Sequence, residues 1–298
     1  MIPAFPKPHP YPFPRPKFDR LPERRAVTTV AGFRCYDGLV LCADTEHTAG
    51  LSKFQRRKIL GYMDDECVIR IAGSGHSDYI DMTIEKMLFA MHGAGKNLKG
   101  IKDSFEAVAL DVHNKHIRPF FDMHDETRPR IYLLAIIRFS SGQLEILKIA
   151  DTTVSLVEDY EVLGAGEHLA RSLIDWLYDP KISTRMMRVF AINIVQQTKR
   201  YVCGVGGTTH VVSLAHEPQR RDASIFYDDS EFFFGIQKYL KPMLIACLDE
   251  DVADNIFEGC KSALVELFSD VRAATKQKKD AEDRLFKRST AQMSEPEP

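Results

Sequence analysis

Cysteine is scarce in this sequence and no two cysteines are placed as a Cys-x-x-Cys pair; the chain has six among its 298 residues. Most of the six lie inside apolar runs, so we expect neither a metal site nor a disulfide framework, and a reducing cytoplasm is the expected location. Long apolar runs are also missing, and the N-terminus lacks the apolar core of a signal peptide, so we expect no membrane association. Forty Lys and Arg residues face 42 Asp and Glu residues, a balance that does not favour a nucleic-acid partner.

Several familiar catalytic motifs are absent from the sequence. It contains no Gly-x-Ser-x-Gly, no His-Glu-x-x-His and no phosphate-binding P-loop. Glycines cluster at 164–166 and 204–207, but their spacing does not match a dinucleotide-binding fingerprint, so we interpret them as tight turns. We therefore expect no cofactor.

Composition divides the chain into three predicted parts. Residues 1–26 form an arm in which proline occupies nearly every second position between Pro3 and Pro16, a pattern that forbids helix. Such an arm is a disordered segment, a docking peptide or a removable propeptide. Residues 27–217 form the main domain. Residues 218–298 form a helical extension with a charged tail, whose apolar stripe either packs on the same core or contacts another subunit.

The order of predicted elements in the main domain is strands, two helices, strands, two helices and a strand. Several strands are apolar on both faces and therefore need cover on both sides. This favours an α+β fold, a four-layer αββα sandwich. The predicted strands are Thr28–Cys35, Leu39–Asp44, Cys67–Ala72, Ile131–Phe139, Leu144–Ile149, Val154–Leu163 and His210–Leu214.

The first hairpin opens with two threonines, and Thr28 is a candidate nucleophile. A threonine at a chain terminus carries its own base, because an α-amine titrates much closer to neutrality than a lysine does. A lysine beside the hydroxyl, a carboxylate that orients the lysine and a backbone amide for the oxyanion would complete such a site. The candidates are Thr28, Asp44, Lys58 and the amide of Gly73. The alternative is that Thr28 is only a strand residue and Lys58 a solvated charge.

Hairpin geometry makes a prediction about this site. Residues opposite one another in a hairpin share a face of the sheet. A three-residue loop, Tyr36 to Gly38, would place Asp44 opposite Val30 and on the face of Thr28, so the catalytic hypothesis predicts that loop.

The stretch "TTVAGFRCYDGLVLCADTEHTAG", followed by "RKI" at 57–59 and "IAGSGHSD" at 71–78, resembles the N-terminal half of a proteasome β-subunit. It is also similar to the peptidase subunit of the bacterial ATP-dependent heat-shock protease. Both are N-terminal-nucleophile hydrolases, and the resemblance covers roughly Thr28–Leu214.

The resemblance implies a threonine peptidase that hydrolyses peptide bonds once the residues before Thr28 are removed. It implies Thr28 as nucleophile and base, Asp44 and Lys58 as the charged pair, and the Gly73 amide as the oxyanion donor. Thr48 would bind peptide backbone, and His47 and Ile71 would line a substrate pocket. The expected partners are a peptide or protein substrate, further copies in a homo-oligomeric ring and, for unfolding, a separate ATPase.

Three positions depart from the pattern of that family. Val27 stands where glycine usually precedes the threonine, Ala165 replaces a serine between two glycines, and residues 199–203 carry no carboxylate. These departures leave two alternatives open. One is a non-catalytic structural or assembly protein similar to a proteasome α-subunit, and the other is a small-molecule amidase on the same fold.

Overall fold

The computed structural model describes residues 28–49, 52–121, 128–216 and 223–227, together with five helical residues of the C-terminal region (Glu258, Gly259, Ser262, Val265 and Ser269). The chain divides into two compact units, Met1–Tyr227 and Asp228–Pro298. The proline-rich arm, Val27 and most of the predicted C-terminal extension lie outside the described residues.

The first sheet is antiparallel and has five strands in the order β10-β1-β2-β11-β12. The apolar runs of β1, β2 and β11 are almost wholly buried, because one face meets the second sheet and the other meets helices. Its strands are β1 (Thr29–Cys35), β2 (Gly38–Asp44), β10 (Tyr160–Gly164), β11 (Thr209–Ala215) and β12 (Ala223–Tyr227).

The second sheet is also antiparallel, with five strands in the order β5-β6-β7-β8-β9. A separate two-stranded ribbon pairs β3 (Glu46–Ala49) with β4 (Ser52–Gln55). The strands of the second sheet are β5 (Leu60–Met63), β6 (Cys67–Gly75), β7 (Ile131–Phe139), β8 (Leu144–Ala150) and β9 (Thr153–Val157).

Two helix pairs cover the sheets. Within residues 28–216 the described helices are α1 (Ser77–Ala90), α2 (Leu98–Val112), α3 (Glu167–Leu177) and α4 (Thr184–Tyr201), and a π-helical turn, His113–Ile117, follows α2. Side chains cap two of them. The Asn97 side chain accepts the Gly100 amide at the start of α2, and Ser183 accepts the Met186 amide at the start of α4. No described helix is long and apolar enough to cross a membrane.

The buried residues form layers between these elements. One cluster joins β6 and β7 to α1 and α2, and includes Ile71, Ile84, Phe105 and Leu133. A second cluster fills the space between the two sheets, while α4 packs on the opposite face of β2 and β11. The predicted four-layer αββα sandwich is therefore confirmed.

One predicted strand is wrong in extent. The stretch Val154–Leu163 forms two strands, β9 and β10, which belong to different sheets. The chain bends at Glu158 and Asp159, whose carbonyl oxygens accept hydrogen bonds from Arg34. Strand propensity is similar on both sides of this bend, so only the tertiary contacts separate the two strands.

Candidate active site

The β1–β2 hairpin has a two-residue turn, Tyr36-Asp37, rather than the predicted three-residue loop. Cys35 is paired with Gly38 and Val30 with Ala43, so Asp44 falls opposite Thr29 instead of Val30. The turn is also tied to α4, because the Asp37 carboxylate accepts the Thr184 amide at 2.7 Å. That long-range bond is invisible in the local sequence.

The structure nevertheless brings Thr28, Asp44 and Lys58 together. The Lys58 ammonium donates to Thr28 Oγ1 at 2.9 Å and to both Asp44 carboxylate oxygens at 3.1 and 3.0 Å. Thr28 lies just before the first residue of β1 and Asp44 is the last residue of β2. Strict alternation therefore does not govern their side chains, and Lys58 bridges them at the end of the hairpin.

Two backbone amides complete the surroundings of Asp44. Its Oδ1 accepts the Thr29 amide at 3.0 Å, and its Oδ2 accepts the Gly206 amide at 3.3 Å. Gly206 belongs to the second glycine cluster, which sequence analysis interpreted only as a tight turn. The structure shows that its carbonyl also accepts the Glu46 amide at 3.0 Å, so this turn holds the end of β2 in place.

The Asp44–Lys58 pair is shielded from water. The Asp44 side chain is fully buried and that of Lys58 is 11% exposed. Burial raises the pKa of the Asp44 carboxyl and lowers that of the Lys58 ammonium, and the attraction between the two charges opposes both shifts. Each group therefore depends on the other to remain charged.

Gly164 of β10 fits closely against the backbone of Thr28. It has a φ of +103°, a conformation that favours glycine, and a Cβ at this position would lie 2.0 Å from the Thr28 carbonyl oxygen. The first glycine cluster thus permits β10 to approach the start of β1, where Gly164 is paired with Thr29.

Gly73 lies in β6, opposite Leu133 of β7. A Cβ there would come within 2.5 Å of the Leu133 side chain and 2.7 Å of the Ile80 side chain, so a larger residue would require both side chains to shift. The role of its amide in binding an oxyanion stays a prediction.

The three predicted substrate-binding residues occupy different environments. His47 lies in β3 with its ring 4.7 Å from that of Phe54 in β4, and partial burial and the Lys58 charge lower its pKa. Thr48 lies in β3 opposite Lys53. Ile71 is fully buried in the cluster beneath α1 and α2. Their roles in substrate binding stay predictions.

Comparison with known proteins identifies the fold. No protein-family model matches the sequence, and no curated protein matches it. Solved structures of Anbu proteins do match. The fold is that of Anbu. A mutant Anbu from Hyphomicrobium sp. strain MC1 gives a TM-score of 0.62 at 14% identity, over 76% of this chain and 98% of that one.

Two other Anbu structures agree with this result. Anbu from Yersinia bercovieri, described as an ancestral beta-subunit, gives a TM-score of 0.60 at 15% identity, over 76% of this chain and 98% of its own. The helical assembly of the Anbu complex from Pseudomonas aeruginosa gives a TM-score of 0.63 at 13% identity, over 76% of this chain and 97% of that chain.

These matches correct the assignment made from sequence. The quoted motifs indicated a threonine peptidase similar to a proteasome β-subunit or to the heat-shock peptidase subunit. The matching structures are instead Anbu proteins. Identity of 13–15% shows the fold alone.

Proposed function

We propose that this protein hydrolyses peptide bonds with Thr28 as its nucleophile, after the residues that precede Thr28 are removed. The observation that carries the proposal is the contact between the Lys58 ammonium and Thr28 Oγ1 at 2.9 Å, with Asp44 holding the ammonium from its other side. A buried positive charge beside a hydroxyl lowers the cost of removing its proton.

Lys58 is better suited to electrostatic support than to proton transfer. Its ammonium contacts both oxygens of Asp44, and that attraction favours the charged form. The base is then the α-amine of Thr28, which exists only once the bond from Val27 has been cleaved.

The proposed reaction has two steps. In the first, Thr28 Oγ1 attacks the substrate carbonyl while the α-amine takes the hydroxyl proton, and the amine then passes that proton to the departing nitrogen as the peptide C–N bond breaks. In the second, water loses a proton to the α-amine and attacks the Thr28 ester, and the proton returns to Oγ1 as the acid leaves. The Gly73 amide would stabilise the negative oxygen in both steps.

Oligomer formation is part of the proposal. The Pseudomonas aeruginosa relative forms a helical assembly, and we propose that this chain also associates with copies of itself. The sequence has no nucleotide-binding P-loop, so unfolding of a folded substrate would require a separate ATPase.

The test is mass spectrometry of the purified full chain, with and without a threonine-directed epoxyketone. We expect an N-terminus at Thr28, a single adduct on that residue and hydrolysis of peptide substrates. Thr28→Ala should abolish the adduct and lower peptide hydrolysis by at least about a thousandfold, because the nucleophile is lost.

The matched control is Thr153→Ala in β9, which removes an exposed strand threonine far along the chain and should leave hydrolysis unchanged. An intact Met1 terminus with no adduct and no hydrolysis would refute the proposal and favour a structural role. Hydrolysis of acyl-amides but not of peptides would identify a small-molecule amidase.

A further inference from the structure

Ser74 is a buried hydroxyl that the proposed mechanism does not use. It lies in β6, directly after Gly73, and is 1% exposed. Its Oγ has no hydrogen-bond partner among the residues that the structure describes. Buried side-chain hydroxyls normally have a partner, so a hydroxyl without one calls for an explanation.

The position of this hydroxyl relative to Thr28 follows from Gly164. A Cβ on Gly164 would lie 2.0 Å from the Thr28 carbonyl oxygen and 2.6 Å from Ser74 Oγ. The Thr28 carbonyl oxygen and Ser74 Oγ therefore both lie close to Gly164 of β10, which places the Ser74 hydroxyl beside the backbone of Thr28.

Strand alternation places the Ser74 side chain between the two sheets. Ala72 of β6 belongs to the cluster between the sheets, so Ser74, two residues later, faces that space. Val30 of β1 belongs to the same cluster. Ser74 therefore faces the sheet that contains β1, and Gly164 locates it beside Thr28 within that space.

We propose that Ser74 is a positioning residue for the catalytic terminus. When the bond between Val27 and Thr28 is cleaved, Ser74 Oγ accepts a hydrogen bond from the new α-amine and directs the nitrogen lone pair towards Thr28 Oγ1. This inference rests on the proposed function. The neighbouring glycine turn carries Ala165, a residue without a side-chain donor or acceptor for the α-amine.

Several titratable side chains lie on the elements around this point. Asp44 and Lys58 contact each other, and Glu161 is held by Lys148 and Arg171. Others among the described residues are His76 after β6, Tyr132 on β7 opposite Ser74, and Lys199 on α4, which donates to Thr209 Oγ1. Replacing Ser74 with alanine removes none of these side chains. A change in the pKa of the Thr28 α-amine would therefore result from the loss of the Ser74 hydroxyl.

The test begins with the full chain carrying a ubiquitin-like domain inserted between Val27 and Thr28, cut directly before Thr28 after purification. The pKa of the Thr28 α-amine is then measured from the pH dependence of its labelling by acetic anhydride, followed by mass spectrometry. A hydroxyl accepts a stronger bond from an ammonium than from an amine, so Ser74→Ala should lower this pKa by roughly half a unit or more.

Kinetics give the second measurement. Peptide hydrolysis is assayed at least one pH unit above both measured α-amine pKa values, where the amine is largely neutral, so that a difference reports orientation rather than protonation. We expect kcat to fall about tenfold in Ser74→Ala with KM unchanged, because the hydroxyl does not contact the substrate. Ser213→Ala, which removes a buried serine from β11, is the matched control and should change neither quantity.

The outcomes separate the two proposals. An α-amine pKa that is the same in both proteins would overturn the role of Ser74, whatever the peptidase activity. A lowered pKa without peptide hydrolysis in either protein would support the position of Ser74 and refute the proposed function. A fall in kcat that Ser213→Ala reproduces would also overturn the role of Ser74.

Discussion

At the scale of single residues, the Asp44–Lys58 pair is the feature on which the site depends. Both side chains are withdrawn from water, and each offsets the desolvation of the other. Two backbone amides also donate hydrogen bonds to the Asp44 carboxylate and stabilise its negative charge. Removing one partner would therefore leave a buried charge without compensation, whereas removing both would not.

We expect Asp44→Asn to lower the free energy of unfolding by about 3–5 kcal/mol, since it leaves the buried Lys58 ammonium without its counter-ion. The double variant Asp44→Asn with Lys58→Met should recover part of this loss. Urea denaturation measures both. Equal losses in the single and double variants would contradict the view that the two charges compensate each other.

At the scale of secondary-structure elements, the pairing of β10 with β1 decides where Thr28 lies. Gly164 is paired with Thr29 and lies against the Thr28 carbonyl, so it has no room for a side chain. On the other side of β1, strand β2 supplies Asp44, and the turn that contains Gly206 donates a backbone amide to its carboxylate. The site is thus assembled from strand ends that are far apart in sequence.

Gly164→Ala should destabilise the protein by at least about 3 kcal/mol. The left-handed φ of +103° disfavours alanine by about 1–2 kcal/mol, and the new methyl group would overlap the Thr28 carbonyl. The free energy of unfolding in urea checks this value, and peptide hydrolysis should fall with it.

Gly142→Ala is the matched control for that variant. Gly142 also has a positive φ, +86°, but an added Cβ there would meet only the His216 side chain, at 3.3 Å. We expect a loss of about 1–2 kcal/mol, the conformational cost alone. If both glycine variants lost the same amount, the close approach to Thr28 would have no energetic weight.

At the scale of the whole molecule, the stacked sheets bury groups that are polar in isolation. His210 of β11 is fully buried, with Nε2 3.0 Å from Ser224 Oγ. Burial, together with the nearby charge of Arg57, lowers its pKa to about 4 from an ordinary value of 6.5. The sandwich therefore holds this imidazole neutral, and protonation opposes folding.

The sign of the pH dependence follows from proton binding. Below pH 6.5 the unfolded chain binds a proton at His210 that the folded protein does not accept until about pH 4. Stability is therefore unaffected by this group above pH 6.5 and decreases as pH falls towards 4, by about 3 kcal/mol in total.

His210→Gln removes this titration while retaining a polar side chain. The difference in unfolding free energy between the two proteins, measured in urea at several pH values, isolates the histidine from all other groups. We expect the native protein to lose about 3 kcal/mol more than the variant between pH 7 and pH 4. Parallel curves would show that His210 is protonated at its ordinary pKa in the folded state.

Much of the architecture could be predicted from the sequence because strands and helices are encoded locally. Residues 131–139 form β7 as predicted, since apolar patterns act over a few residues. The ribbon of β3 and β4 was not predicted. All four residues of β4 are exposed, so this strand lacks the alternating apolar pattern from which strands are predicted.

The sequence by itself determined the αββα layering and the candidate set of Thr28, Asp44 and Lys58, because hydrophobic pattern and residue chemistry are local properties. Only the tertiary structure decided the two-residue turn, the split between β9 and β10, and the contacts of Gly206 and Gly164 with the site. These depend on chain segments more than forty residues apart being packed together, and packing between distant segments has no signature in either segment alone.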